Sequence, residues 1–182
     1  MNIHGEKVII RSLELEDMDF LLETINDPNM ESLVIGWSFP TSRIQQNLWF
    51  EKIMLDNANH RFAVTLNSNI IGIATLTKID WKNRSAYHGI KLGNNAPKGQ
   101  GIGTDTVFAI MKYAFEELQL NRLAGSMLKH NTASIKLYEK CGWIQEGVAR
   151  QSIFKNNEYH DEILVSILKE DYLRIKGDLI GK

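Results

Sequence analysis

The chain has 182 residues, 43% of them hydrophobic and 24% charged, with a formal net charge of -1. That balance suits one core of ordinary size and supplies no global field for nucleic acid or an anionic membrane surface. A single cysteine, Cys141, excludes an internal disulfide framework and a multi-cysteine metal centre, and no apolar run approaches the roughly 20 residues that span a bilayer. The opening Met-Asn-Ile-His-Gly-Glu-Lys has no apolar signal core. The expectation is a soluble, cytoplasmic protein with no metal, membrane or nucleic-acid partner.

In chain order, Val8-Ile9-Ile10 reads as a strand. Glu16 to Asn26 reads as a helix with Phe20, Leu21 and Ile25 inward, stopped by Asp27-Pro28. Met30 to Pro40 has no clear period. Thr41 or Ser42 can cap a second helix with Ile44, Leu48, Ile53 and Leu55 as its apolar positions. Arg61 to Leu66 and Ile70 to Ile79 form a hairpin about Asn67-Ser68-Asn69, and Ser85 to Leu92 is the next strand.

Lys98-Gly99-Gln100-Gly101-Ile102-Gly103-Thr104 then runs into a helix marked by Val107, Ile110, Met111, Ala114, Phe115 and Leu118. Arg122 to Leu128 is a strand and Asn131 to Lys140 a helix, with Gly142 suited to a left-handed cap. Trp143 to Phe154 and Tyr159 to Leu168 form a hairpin about Lys155 to Glu158, and a last helix follows Glu170. Hairpins around one strand-helix-strand crossover predict a mixed α+β sheet of about seven mostly antiparallel strands, flanked by about four or five helices.

Two segments about thirty residues apart carry the chemistry. Glycines at 99, 101 and 103 let the backbone approach a ligand closely. The free amides and dipole of the following helix suit a diphosphate, and Lys98 could add a charge-assisted contact. No Gly-Lys-Ser/Thr closes the loop as in a Walker motif, and the full Gly-x-Gly-x-x-Gly of a dinucleotide loop is lacking, with Asp105 rather than glycine in the next required neighbourhood. In the second segment, Asn131, Ser134 and Tyr138 fall on roughly one helix face. They present an amide, a hydroxyl and a phenol, and a phenol can serve as a general acid beside a developing anion.

Together these segments resemble the GNAT superfamily of acyl-CoA N-acyltransferases. Its members carry a Gln/Arg-x-x-Gly-x-Gly/Ala loop and a later Asn-x-x-Ser/Ala-x-x-Leu-Tyr-x-Lys-x-Gly-Phe stretch. The second motif is nearly complete at Asn131, Ser134, Leu137, Tyr138, Lys140 and Gly142, with Trp143 where Phe is usual. In the loop, Gly101 and Gly103 match and Lys98 replaces Gln or Arg. The resemblance covers 1–182 as a single domain. Arg11-Ser12-Leu13, Glu146 to Arg150 and Lys155 to Asp161 are similar to the ribosomal-protein and spermidine acetyltransferase branch.

The resemblance implies an acetyl-CoA-dependent N-acetyltransferase. The amides of Lys98, Gly99, Gln100, Gly101, Ile102, Gly103 and Thr104 would hold the CoA pyrophosphate. Strands 85–92 and 122–128 would splay around the pantetheine, whose amides meet backbone groups from Ile90 to Leu92, one N–H polarising the thioester carbonyl. Asn131, Ser134 and Lys140 complete the cofactor set, and Tyr138 would protonate the departing thiolate. The amine attacks directly, so Cys141 is read as a packed thiol.

Related enzymes of this branch often carry Ala-Glu where this chain has Ala86-Tyr87-His88. The acid is missing. His88 has a suitable ordinary pKa for a base, but strand alternation turns it to the opposite sheet face from position 87; a water chain is the alternative. The acceptor wall is expected in Met30–Phe50, with Glu31, Trp37, Phe39 and Arg43 as contacts. It is aromatic and poor in acids, which favours a small amino sugar or amino-acid-like amine over a polyamine. A peptide N-terminus, a polyamine and a non-catalytic acyl-CoA-binding role are the alternatives, and a homodimer is a further expectation.

Overall fold

The structure, a computed structural model, describes residues 1–36 and 39–180. Its strands are β1 (Ile3–His4), β2 (Ile9–Ser12), β3 (His60–Leu66), β4 (Asn69–Asp80), β5 (Ser85–Leu92), β6 (Arg122–Leu128), β7 (Ile144–Lys155) and β8 (Glu158–Leu168). Its helices are α1 (Met18–Ile25), α2 (Pro28–Leu33), α3 (Arg43–Met54), α4 (Ile102–Lys112), α5 (Thr132–Lys140) and α6 (Lys169–Ile180). The fold is the expected mixed α+β sheet, one strand larger than read from sequence because the two-residue β1 is too short to show a pattern. The strand order is β1-β2-β3-β4-β5-β6-β8-β7, and only the β5–β6 pair is parallel. A parallel pair needs a crossover, and α4 supplies it.

Two hairpins turn on paired left-handed residues, Asn67 and Ser68 between β3 and β4, and Asn156 and Asn157 between β7 and β8. This is the two-residue turn whose twist matches that of the strands.

Each face of the sheet buries its own core. On one side Val64, Ala74 and Leu76 pack with Val107, Ile110, Met111 and Phe115 of the α4 region, and with Tyr138 and Trp143. On the other, Ala63 and Ile73 pack with Leu13, Met18 and Leu21, backed by Phe20, Trp49, Phe50 and Ile53. Neighbouring residues of one strand thus serve opposite cores, as a period of two requires. Arg11 clamps the buried Asp17 through two bonds of 2.7 and 2.9 Å. Burial alone would raise that carboxyl, but Arg11 and the Glu14 amide hold it below the usual range.

Two expectations are corrected. The aperiodic stretch after Pro28 contains α2: Asp27-Pro28 ends α1, and Asp27 also caps the next helix by accepting from Asn29 N at 2.9 Å. The inner face of α3 is not the expected one. Ile44 (73%), Leu48 (59%) and Leu55 (85%) are exposed, whereas Gln46 is buried. Gln46, Trp49, Phe50 and Ile53 form a second stripe at helical spacing, and its aromatic bulk fills the gap above β3 and β4.

Candidate active site

The site is a fork in the sheet. Ser85, Ala86 and Tyr87 pair with Arg122, Leu123 and Ala124, and beyond them β5 stays with β4 while β6 stays with β8. At the branch, the His88 carbonyl faces Gly125, where a Cβ would lie 3.1 Å from it. Backbone polar groups alternate sides along a strand. Those of Ile90 and Leu92 therefore face the same way, into the gap, as expected for pairing with an inserted pantetheine.

A cavity of about 550 Å³ opens there. Gly89, Ile90 and Lys91 of β5, Ser126 and Met127 of β6, and Asn131, Ser134 and Tyr138 line one side. Leu21, Thr24, Met30, Glu31 and Leu33 of α1 and α2, with Gln46 and Trp49 of α3 and Arg61 of β3, line the other.

The loop before α4 has the form of a cradle. Gly99 and Gly101 hold φ of 72° and 78°, and Gly101 stands at the N-cap of α4. The first amides of a helix have no intrahelical partner. Ile102 is buried, so only its amide can serve a ligand. A Cβ at Gly103 would lie 3.2 Å from Leu137 Cδ2, so glycine lets α5 close on α4. Asp105 fastens this end of α4 to the β1–β2 turn by accepting from the amides of Glu6, Lys7 and Val8 at 2.8, 2.8 and 2.9 Å. Lys7 Nζ also donates to the Gln100 carbonyl. Lys98 is exposed in the loop, and Thr104 lies in the first turn of α4. A glycine cradle, orphan amides and a gap between strands together fit a phosphorylated thioester.

Tyr138 is fixed by the way α5 ends. Gly142, at φ 82°, donates to the Glu139 carbonyl, and Trp143 N donates to the Tyr138 carbonyl at 3.0 Å. This is the paired-bond helix stop in which the residues at its two ends touch. Here they are Tyr138 and Trp143, with ring centroids 4.8 Å apart and planes at 89°. Burial foremost raises the Tyr138 phenol above its ordinary range, with a further contribution from Cys141. The hydroxyl thus stays protonated at neutral pH. Among the described residues it makes no hydrogen bond, and Tyr138 lines the cavity. Cys141 is buried and its thiol is pushed up to about 12 by that burial, as suits packing.

His88 lies on the α4 side, buried between Tyr138 and Trp143 at ring distances of 5.9 and 5.8 Å. Its Nδ1 donates to the Thr75 carbonyl at 3.0 Å, and its Nε2 is buried without a partner. Burial drives its pKa down to about 4. It does not line the cavity, so a base acting directly on the amine is not found there; the strand register runs unbroken through His88 and keeps it on the far face.

Other expected residues divide. Asn131 Oδ1 accepts from Ser134 N, and its Nδ2 donates to the Leu33 carbonyl, both at 3.0 Å. Lys140 is exposed in the last turn of α5 and does not reach the cavity. Glu31 is in the wall but forms an ion pair with the buried Lys155. Arg43 is turned away, drawn to Asp19 of α1 in an exposed pair. Phe39 lies on the surface and does not line the cavity. Trp37 lies outside the described residues. The carbonyls of the last turn of α2 are taken in succession. Glu31 O accepts from Lys155 Nζ at 2.9 Å, Ser32 O from His130 Nε2 at 2.9 Å, and Leu33 O from Asn131.

Sequence reasoning missed Arg61 and Lys91. Arg61 lies over the Trp49 ring at 5.6 Å. Lys91 is exposed to the cavity, yet protein surrounds it, and burial followed by the charges of Arg61 and Lys155 lowers its pKa. A lysine inside an otherwise apolar strand segment was the available signal.

Residues 7–144 match the family model for the acetyltransferase (GNAT) domain. The chain belongs to the GNAT acetyltransferases. It is 29% identical over 172 residues to spermidine N(1)-acetyltransferase of Vibrio cholerae, covering 93% of this chain and 97% of the relative. The crystal structure of the Vibrio cholerae spermidine N-acetyltransferase with CoA and spermine is similar at a TM-score of 0.87 and 28% identity, over 93% of this chain and 99% of the other. The putative ribosomal N-acetyltransferase YdaF of Bacillus subtilis is 28% identical over 176 residues, covering 92% of this chain and 94% of the relative. This GNAT chain is an acetyl-CoA-dependent N-acetyltransferase. No helix among the described residues is long and apolar enough to cross a membrane.

Proposed function

We propose that residues 1–182 act as one acyltransferase domain that acetylates the primary amine of a small molecule, an amino sugar or an amino-acid-like compound, by direct attack in a ternary complex. The observation that carries this reading is the fork beyond Tyr87 and Ala124, with Tyr138 in the wall of the cavity it opens. Acetyl-CoA supplies an acetyl group activated as a thioester. The amides of residues 98–104 hold its diphosphate. An N–H near Ile90 polarises the acetyl carbonyl. Tyr138 gives its proton to the departing sulfur. The proton of the amine leaves through water in the cavity, since His88 faces the other side of the sheet.

Among the described residues the cavity lining offers one acid, Glu31, already paired with Lys155, which favours a short acceptor over a long polycation. A polyamine acceptor is the second reading, favoured by the similarity to the spermidine enzyme along nearly the whole chain; the similarity to YdaF keeps a protein N-terminus as a third. Measuring thiol release from acetyl-CoA with a panel of amino sugars, amino acids, polyamines and N-terminal peptides tests the proposal. Turnover of a small amine at the highest kcat/KM supports it. A clear preference for spermidine or a peptide overturns it.

A further inference from the structure

The acceptor cavity holds more positive charge than its own acids can balance. Arg61 and Lys91 both line it, and among the described residues neither forms a close ion pair with a carboxylate: Arg61 donates to the Asn59 carbonyl at 3.4 Å, and Asp56, which feels its charge, lies outside the lining. Among the described residues Glu31 is the one acid in the lining, and Lys155 already occupies it. Burial first, and then the like charges of Arg61 and Lys155, disfavour the Lys91 cation. Gathering unpaired cations in a cleft of reduced dielectric is unfavourable unless an anion enters.

Their placement is set by register. Arg61 pairs across to Thr75, and Thr75 to Gly89; one row along, Ile73 pairs with Lys91. These residues share the sheet face that carries α1 and α3, since Ala63 and Ile73 pack there. The glycine loop leads into α4, which packs on the opposite face. Gly89, in the row of Arg61, adjoins Ile90 at the mouth of the fork and lies two strands, about 10 Å, from Arg61. Trp49 beneath the guanidinium holds it as a planar fork suited to an oxyanion.

We propose that Arg61 and Lys91 form an anion-binding subsite, so that the acceptor amine carries a carboxylate or a phosphate. The proposal rests on the reading of this cavity as the acceptor site. A short molecule would place its anion on Arg61 and Lys91 and its amine at the fork. A polyamine would bring further ammonium groups against these cations.

The test compares kcat/KM for matched pairs: an amino acid against its decarboxylated amine, and glucosamine 6-phosphate against glucosamine, with spermidine alongside. The expected result is a preference of about 10-fold or more for the anionic member of one pair, and the identity of that pair tells carboxylate from phosphate. Lys91→Met and Arg61→Met should each remove most of that preference and leave acetyl-CoA affinity, read by titration calorimetry, unchanged. The wild-type comparison and Lys91→Met, at an exposed position, stand even if Arg61→Met fails to fold. Equal use of charged and neutral members, or a preference for spermidine, overturns the subsite while leaving the acetyltransferase reading intact. Failure of the wild-type protein to bind acetyl-CoA overturns both.

Discussion

Tyr138 and Trp143 meet because they are the two ends of one helix stop: the Trp143 amide closes on the Tyr138 carbonyl, and the rings then touch edge to face. The family-like spacing from tyrosine through glycine to an aromatic residue therefore has a structural meaning, in which the turn aims the phenol. Tyr138→Phe keeps the ring contact and removes only the hydroxyl. General acid catalysis is worth roughly 10²–10⁴-fold; a thiolate leaves fairly well unaided, so a fall in kcat near the low end, about 10²-fold, is expected with acetyl-CoA affinity unchanged. Trp143→Ala should lower kcat as well, and should also cost about 3–5 kcal/mol of stability. Denaturant titration beside steady-state kinetics separates the two; wild-type kcat in Tyr138→Phe, with chemistry limiting, would reduce Tyr138 to packing.

Gly103→Val tests the cradle. The added Cβ would stand 3.2 Å from Leu137 and 3.8 Å from Leu92. It would crowd the point where α5 closes on the loop. Acetyl-CoA binding should weaken by about 10-fold or more, because backbone approach is what the loop offers a diphosphate. Calorimetry on a variant with a native circular dichroism spectrum measures this, and unchanged affinity would contradict the assignment.

Asn131 does two jobs that substitution can separate. Asn131→Asp keeps an oxygen for the Ser134 amide but loses the donor to the Leu33 carbonyl. Asn131→Ala loses both, and the lost cap costs about 1 kcal/mol. The aspartate variant should keep near-normal stability while KM for the amine rises, because α2 is released from α5. Equal stability losses in the two variants would argue against a separate role for the Leu33 contact.

His88 gives the protein a pH dependence. Its pKa falls from 6.5 to about 4 on folding because burial penalises the cation. The unfolded chain therefore takes up the proton first. The stability held by neutral His88 is fully present above about pH 6.5 and drains away as pH falls toward 4. The difference amounts to about 3 kcal/mol across that window. In His88→Leu this component of the slope should vanish. Unfolding free energies at pH 7 and pH 5 for both proteins give the comparison, and identical slopes would show that His88 titrates normally.

Much of this fold was legible because strands packed on both faces read as short apolar and β-branched runs bounded by turn residues. β3 to β8 read correctly, and so did the crossover helix and the glycine stop after Lys140. The failures have physical causes. Asp27-Pro28 is a stop for one helix and a start for the next, and sequence alone offered only the first meaning. Of the positions expected to face inward from the second helix, Ile44, Leu48, Ile53 and Leu55, Ile53 alone packs inward, beside Gln46, Trp49 and Phe50, and the packing partner decides between the stripes. Among the acceptor contacts, Arg43 was drawn to Asp19. The cations of the cavity came from β3 and β5 instead, distant in sequence and joined only by cross-strand register.

The three bonded carbonyls at the end of α2 have a mechanical consequence. His130 and Asn131 tie the end of α2 to the start of α5, which carries Tyr138, and Lys155 ties it to the end of β7. On the proposed reading, recognition and proton delivery would thus share a frame. An acceptor that seats badly against Met30 or Leu33 disturbs the alignment of Tyr138 as well as its own affinity. Across a series of amines, weaker binding should therefore travel with slower turnover, and Asn131→Asp should flatten that correlation by releasing α2 from the start of α5.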